Sequence, residues 1–154
     1  MERPTYPTRR HTAHGVLPSP HQPTIVFLTV CTKDRSPWLT NPGVHTLLRG
    51  IWEEASTWLV GRYVLMPDHL HLFAAPGERE IALENWVRYW KSRFRVLDAC
   101  SDRLWQSSFW DTRLRASESY ERKWDYVRNN PVRKSLVLRP EEWEFQGTIH
   151  ELTW

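Results

Sequence analysis

Two apolar segments separated by only two residues constrain the fold of this chain most strongly. Residues 62–66 and 69–75 are rich in β-branched, aromatic and alternating apolar side chains, which favours extended strands. Pro67-Asp68 between them breaks the strand pattern, because proline has no N–H to give a neighbouring strand. The sequence therefore predicts either a tight hairpin or one long strand with a kink at this point.

The segments on either side of this pair alternate between strand and helix patterns. We predict a strand at 24–31, a helix at 44–59, the strand pair, a helix at 81–97, a strand at 109–115 and a helix at 117–130. Gly61 is expected to close the first helix or to open the next turn, and Ser117 to cap the third helix. The order βαββαβ plus a helix predicts an α+β fold, a ferredoxin-like split βαβ sheet with an added C-terminal helix.

The chain of 154 residues is long enough for one domain with a sizeable core. Residues 1–23 are rich in Pro, Thr, His and Arg and predict a flexible arm, whereas residues 141–154 form a short acidic tail. A folded domain is therefore expected at 24–140. Ten tryptophans are an unusual number, and they suit either core packing or stacking on nucleic-acid bases.

Positive charge is concentrated in one block of the sequence. Residues 86–139 hold 13 Lys and Arg against six Asp and Glu, whereas the tail from Pro140 has four Glu and no Lys or Arg. Such a block suits a polyanion such as nucleic acid, although a solvated basic face would look the same. The candidate DNA-binding residues are Arg88, Lys91, Arg93, Arg95, Arg128, Arg133 and Lys134.

Cysteine content and hydropathy bear on the compartment. Cys31 and Cys100 are far apart and lack metal-site spacing, and no signal-peptide pattern or membrane-length apolar run is found. We therefore expect a cytoplasmic protein with no disulfide framework and no membrane partner.

His69-Leu70-His71 is the first group of chemically useful residues. Residues i and i+2 of a strand face the same side, so both imidazoles are expected to project together and could share a metal ion. The motif is weak by itself, because two histidines on a solvent-exposed face need no metal.

The second group of chemically useful residues is centred on Tyr126. On the third predicted helix, Tyr120, Trp124 and Val127 form the apolar stripe, and Tyr126 lies off that stripe with Lys123 and Asn130 one turn away. A surface tyrosine is the simpler explanation. Together with the histidines, however, a tyrosine hydroxyl could attack a phosphate polarised by a metal, with either Lys123 or the field of the metal helping to activate the phenol.

These motifs resemble a known family. Val64-Leu-Met-Pro-Asp-His-Leu-His-Leu72 resembles the His-hydrophobic-His signature of HUH endonucleases, most closely the REP-associated tyrosine transposases and the single-strand transposases of small insertion sequences. Residues 126–137, with Tyr126 and the Asn-Pro-Val that follows it, resemble the family's tyrosine helix, and Phe109-Trp110-Asp111 resembles its last strand. The similarity covers roughly residues 24–140.

The resemblance implies a transposase-like endonuclease that cleaves and rejoins single-stranded DNA through a covalent 5′-phosphotyrosine intermediate at hairpin-forming repeats. It makes Tyr126 the nucleophile on a catalytic C-terminal helix, and His69, His71 and Asn130 the ligands of Mg²⁺ or Mn²⁺. Asp68 then belongs to the surroundings of the metal. In some relatives the tyrosine helix serves a partner's active site, so a homodimer and a single chain both stay open.

The chain departs from the family in two places, with Asp68 where Asn or Glu is common and Ser135 where Gly is common. Two other functions are compatible with the residues alone. One is a non-catalytic ferredoxin-like nucleic-acid-binding module, although its Lys/Arg-Gly-aromatic signature is absent from the strands. The other is a metal hydrolase that activates water and does not use Tyr126.

Overall fold

The computed structural model describes residues 24–77 and 81–153, so the predicted arm at 1–23 lies outside the described residues. Short 3₁₀ turns follow β1 and precede β5. In chain order, the strands and helices are β1 (Ile25–Cys31), α1 (Pro42–Glu54), β2 (Trp58–Leu65), β3 (His69–Pro76), α2 (Leu83–Leu97), β4 (Trp110–Leu114), α3 (Ser117–Arg128), α4 (Asn130–Arg133) and β5 (Gln146–Thr148).

The strands form one sheet in the order β4-β1-β3-β2-β5. Every neighbouring pair is antiparallel. The first four strands have the order of the split βαβ plan, in which β3 lies between the two strands that α1 connects. The predicted α+β, ferredoxin-like fold with an added C-terminal helix is confirmed.

The strand pair at the centre of the sequence is a hairpin and not a single kinked strand. Leu65 pairs with Leu70, and the Met66 N–H donates to the His69 carbonyl over 2.8 Å. Pro67 and Asp68 are therefore the two residues of the turn. This tight connection places His69 at the first position of β3, next to the turn.

The first helix is shorter than predicted. Asn41 starts α1 by accepting hydrogen bonds from the Gly43 and Val44 N–H groups, but the helix ends at Glu54, not at residue 59. Residues 58 and 59 already belong to β2, because Trp58 turns into the core and pairs with Pro76. The apolar pattern of this segment fits both the end of a helix and the start of a strand. For this reason the helix was predicted too long.

Two expected helix signals have other roles. Gly61 lies inside β2 and does not close a helix; a Cβ there would come within 2.6 Å of the Leu152 side chain, so this close contact accounts for the glycine. Ser117 is the first residue of α3 and not its cap. The capping position is Ala116, which has no side-chain hydrogen bond to give.

The sheet is covered on both faces. Helices α1 and α2 pack on one face, where Trp52, Trp86 and Trp90 are fully buried. Helix α3 packs on the other, where Tyr120 and Val127 join side chains of β1, β2 and β3. None of the described tryptophans is exposed, which favours core packing over base stacking as their main role.

The acidic tail adds a strand that the sequence did not predict. β5 pairs with the outer edge of β2, and the Trp143 indole N–H donates to the Leu65 carbonyl over 2.9 Å. Beyond β5, Leu152 packs against the core beneath α3. Within the described ranges no helix is both long and apolar enough to cross a membrane.

Candidate active site

His69 and His71 project from the same face of the sheet, as their spacing on β3 predicts. Their ring centroids are 4.9 Å apart, and both residues are more than nine-tenths buried. Phe27 of β1 stacks on the His71 ring at 5.2 Å and belongs to the core under α3. The imidazole pair therefore lies on the sheet face that α3 covers.

Each histidine is oriented through its Nδ1 atom. His71 Nδ1 is 2.9 Å from the Thr29 hydroxyl, and His69 Nδ1 is 2.7 Å from the Asp68 carboxylate. Among the residues that the structure describes, neither Nε2 atom has a hydrogen-bond partner. Both rings are thus held by the nitrogen that points away from a ligand, with the other nitrogen free to coordinate.

Asp68 is itself held by Arg35. Its other carboxylate oxygen accepts from Arg35 Nε at 2.9 Å, and Arg35 also contacts the Cys31 sulfur at 3.0 Å. The hydrogen bond from His69, with the help of Arg35, lowers the pKa of Asp68 to about 2. Asp68 is therefore a carboxylate at any working pH. It accepts a hydrogen bond from the Nδ1–H group of His69.

His71 is neutral at physiological pH. Burial is the main cause that lowers its pKa well below the usual range, and the nearby positive groups Lys123 and Arg133 act in the same direction. A neutral imidazole is the form that binds a metal. Lys123 and Arg133, from α3 and α4, are close enough to His71 to influence its charge.

Tyr126 lies on α3 where the helical phase predicts it. Tyr120 and Val127 are buried, whereas Tyr126 is 61% exposed. Tyr120 packs edge-on against Phe73 of β3 at 4.7 Å, which makes it the core tyrosine. Tyr126 is consequently the tyrosine of this helix that can reach a substrate in solution.

Lys123 connects this helix to the histidines. Its ammonium lies 4.7 Å from the centroid of Phe27, the ring that stacks on His71. Burial lowers the pKa of Lys123. The structure therefore brings Lys123 towards the imidazole pair. Lys123 is not the cation that covers the Tyr126 ring.

The cation that covers the Tyr126 ring is Arg133. Its guanidinium carbon is 3.9 Å from the centroid of Tyr126, and it donates hydrogen bonds to the Tyr126 carbonyl and to the side-chain oxygen of Asn130. Asn130, the predicted third ligand, therefore uses its amide oxygen within the helix turn. To coordinate a metal ion, the Asn130 amide oxygen must first lose its hydrogen bond from Arg133.

The remaining predicted DNA-binding cations divide into two groups. Arg88, Lys91 and Arg95 line one cleft beside α2. Arg93 and Lys134 are exposed and Arg128 is partly exposed, and none of these three lines the cleft.

The residues present fit a divalent ion with two protein nitrogen ligands. Both Nε2 atoms are free and His71 is neutral, as coordination requires. Within residues 24–77 and 81–153, however, no group of three or more His, Cys, Asp and Glu side chains could hold a metal. Further ligands would have to be an amide oxygen such as that of Asn130, water or a phosphate of the substrate.

Sequence reasoning missed the residues that orient the site. Thr29 and Phe27 come from β1, and their contacts with His71 depend on the register of β1 against β3, in which Thr29 pairs with His71. Arg35 comes from the 3₁₀ turn after β1. The alternation of β1 could have grouped Phe27 with Thr29 on one face, but nothing in the sequence pairs them with a particular histidine.

Comparison with known proteins gives one curated relative. No family model matches the chain. A curated relative, the REP-associated tyrosine transposase of Escherichia coli strain K12, is 28% identical over 92 residues, which cover 59% of this chain and 54% of the relative. The chain thus matches about half the length of that relative.

The fold class comes first: the molecule has the same α+β fold as one solved transposase structure. A REP-associated tyrosine transposase bound to a REP hairpin superposes with a TM-score of 0.70 and 24% identity, covering 90% of this chain and 79% of the other. A putative transposase from Deinococcus radiodurans R1 gives a TM-score of 0.44 and 21% identity, covering 70% and 91%. In sequence and in fold, the chain resembles the REP-associated tyrosine transposases, as its motifs predict.

Proposed function

We propose that this protein cleaves and rejoins single-stranded DNA at hairpin-forming repeats through a covalent 5′-phosphotyrosine on Tyr126. One observation carries the proposal: the helix that bears an exposed tyrosine packs on the sheet face that bears the paired histidines. Lys123 on that helix lies over Phe27, and Phe27 stacks on His71. The curated relative and the hairpin-bound structure, both named as REP-associated tyrosine transposases, support the same activity.

The chain's own residues account for most of the chemistry. The Tyr126 oxygen forms a bond to phosphorus while the bond to the 3′ oxygen breaks, so the phenol loses a proton and the leaving 3′ oxygen gains one. An exposed phenol on a helix can approach a flexible single strand in line, whereas a paired strand hinders that approach. Lys123 and Arg133 supply positive charge where the phosphate must lie.

A divalent ion, Mg²⁺ or Mn²⁺, would be held by His69 and His71 with Asn130 as a further ligand, and when bound it would supply charge stabilisation to the phosphate oxygens. Thr29 and Asp68 keep both imidazoles in the orientation that leaves Nε2 for this role. Imidazole nitrogen with few carboxylates suits Mn²⁺ better than Mg²⁺.

Rejoining is the reverse of cleavage. A free 3′ hydroxyl attacks the phosphotyrosine, a new P–O bond forms, and the Tyr126 oxygen leaves and recovers a proton. The bond energy of the original phosphodiester is kept in the enzyme–DNA bond, so no cofactor is consumed.

The fold disfavours the binding-module alternative in one respect. Such modules stack bases on the exposed face of their sheet, whereas both faces of this sheet are covered by helices among the described residues. The water-dependent hydrolase is separated by experiment, because it would leave no DNA on the protein.

The test is formation of a covalent adduct. The chain is incubated with end-labelled single-stranded hairpin oligonucleotides and Mn²⁺, and the denatured products are separated by size. We expect a labelled protein band that disappears with Tyr126→Phe, since this change removes only the nucleophilic oxygen. Tyr89→Phe is the matched control, because Tyr89 is similarly exposed, at 56% against 61%, but lies on α2.

An adduct that persists in Tyr126→Phe would refute the assignment of the nucleophile. Cleavage without any adduct would favour the hydrolase. Binding without cleavage under all metal conditions would favour the non-catalytic module.

A further inference from the structure

The side chain of Tyr126 extends from the protein surface. It is 61% exposed, whereas Tyr120 and Val127 of the same helix are buried in the core. A side chain that nothing holds samples several χ1 rotamers, and its terminal atom points in a different direction in each. A nucleophile with this freedom is poorly placed, because in-line attack needs reacting atoms that are held close and aligned.

Arg133 lies against the ring of Tyr126. The two residues are seven positions apart, about two helical turns, and Asn129 between α3 and α4 keeps a near-helical φ of −88°. Because side chains on a helix lean towards its N-terminal end, Arg133 reaches back over Tyr126. Its guanidinium carbon is 3.9 Å from the ring centroid.

Two hydrogen bonds hold this guanidinium over the ring. Its Nη2 atom donates to the Tyr126 carbonyl over 2.6 Å and also to the side-chain oxygen of Asn130. The first acceptor is a backbone atom of the same residue that carries the ring, and the second lies on the first residue of α4. The attraction between the cation and the ring face therefore acts on a guanidinium that is already fixed in place.

The stacked side chains lie near the paired histidines. Arg133 is close enough to His71 to influence its charge. His71 projects from the sheet face that α3 covers. The Tyr126 ring is therefore held at the end of α3 that is near the imidazole pair.

We propose that Arg133 is the positioning residue of the nucleophile, and that its guanidinium restricts the Tyr126 ring to one orientation before DNA binds. The proposal rests on the proposed function and adds how an exposed tyrosine is kept ready for attack. The rotamer freedom of the ring is then lost when the protein folds and not during the reaction, which raises the rate of attack.

The orientation of Tyr126 can be measured in the free protein, without metal or DNA. Three-bond NMR couplings from Cγ of Tyr126 to its backbone nitrogen and carbonyl carbon report χ1. We expect the couplings of a single rotamer in the unaltered chain. In Arg133→Ala they should move to values averaged over several rotamers, because the group that lies on the ring is gone.

The consequence for the reaction is measured as the rate of adduct formation in a single turnover, with saturating hairpin oligonucleotide and Mn²⁺. Arg133→Ala should lower this rate about ten- to a hundredfold. Saturation removes the contribution of weaker DNA binding. Arg133→Lys keeps the charge but lacks the flat group that lies on the ring, so its couplings and its rate should both fall between those of the other two proteins.

Arg122→Ala is the matched control. Arg122 is exposed on α3, one turn before Tyr126, and its side chain leans away from the tyrosine. The change removes the same charge from the same helix and should leave the Tyr126 couplings and the saturated rate unaltered. Circular dichroism checks the folding of each variant, and if Arg133→Ala does not fold, Arg133→Lys takes its place in both measurements.

Three results would overturn the proposal: averaged couplings already in the unaltered chain, unchanged couplings in Arg133→Ala, or equal averaging in Arg122→Ala. An unchanged rate despite averaged couplings would also overturn it, since the orientation would then not matter for attack. A lower rate with unchanged couplings would show that Arg133 acts on the phosphate and not on the tyrosine. Failure of the proposed chemistry is distinct, because the unaltered chain would then form no adduct whatever its couplings.

Discussion

Replacing Ser135 with glycine should make this protein more stable. Ser135 has a φ of 58°, in the left-handed region that side chains with a Cβ seldom adopt. It follows α4, where the Leu136 N–H donates to the Pro131 carbonyl and the Ser135 N–H donates to the Val132 carbonyl. This is the Schellman arrangement, whose left-handed position is usually glycine.

The size of the effect follows from two opposing terms. A left-handed L-residue costs about 1–2 kcal/mol, whereas glycine loses about 0.5–1 kcal/mol more backbone entropy on folding than alanine. Ser135 is exposed and its hydroxyl has no partner among the described residues, so Ser135→Gly loses no packing. The free energy of unfolding should rise by about 0.5–1 kcal/mol, which corresponds to a Tm increase of about 1–4 °C for a chain of this size.

Differential scanning calorimetry of the metal-free protein measures this change. Lys134→Gly is the control, because Lys134 has a φ of −89° and gains no relief of strain. Its Tm should fall by a similar amount. A lower Tm for Ser135→Gly, or shifts of the same sign for both variants, would refute the reasoning that the backbone at Ser135 is strained.

Further predictions concern the site. Asp68→Asn should weaken Mn²⁺ binding roughly tenfold by isothermal titration calorimetry, because the carboxylate that orients His69 is lost; unchanged affinity would remove Asp68 from the metal site. Since α3 packs on the sheet of its own chain, mixing Tyr126→Phe with His71→Ala should not restore adduct formation, and restored adducts would show that the tyrosine acts in the partner's site.

The sequence predicted the parts of the fold that depend on local pattern. Pro67-Asp68 marked the break between β2 and β3, which left a hairpin and one kinked strand open, and the spacing on β3 placed His69 and His71 together. Helical phase separated buried Tyr120 from exposed Tyr126. In each case the geometry of one element decides the result, so no knowledge of distant contacts is needed.

The missed parts depend on contacts between distant segments. Arg35 meets Asp68 across 33 positions, and only the pairing of β1 with β3 brings them together. β5 has three residues and no apolar alternation, so its pairing with β2 creates a strand that its own sequence does not specify. The start of β2 at Trp58 was missed because its apolar residues also continue the helical period of α1.

The pairing of β5 with β2 has a consequence for how the chain is made. The Phe145 carbonyl accepts from the Leu65 N–H, and the Ile149 and His150 N–H groups donate to carbonyls of β2. A ribosome delivers β2 long before these partners, so a nascent chain that has already formed the hairpin still presents an open strand edge. An open edge can pair with another chain. Aggregation during synthesis should therefore depend on how quickly the last segment emerges, and slow codons before residue 143 would lengthen the exposed interval.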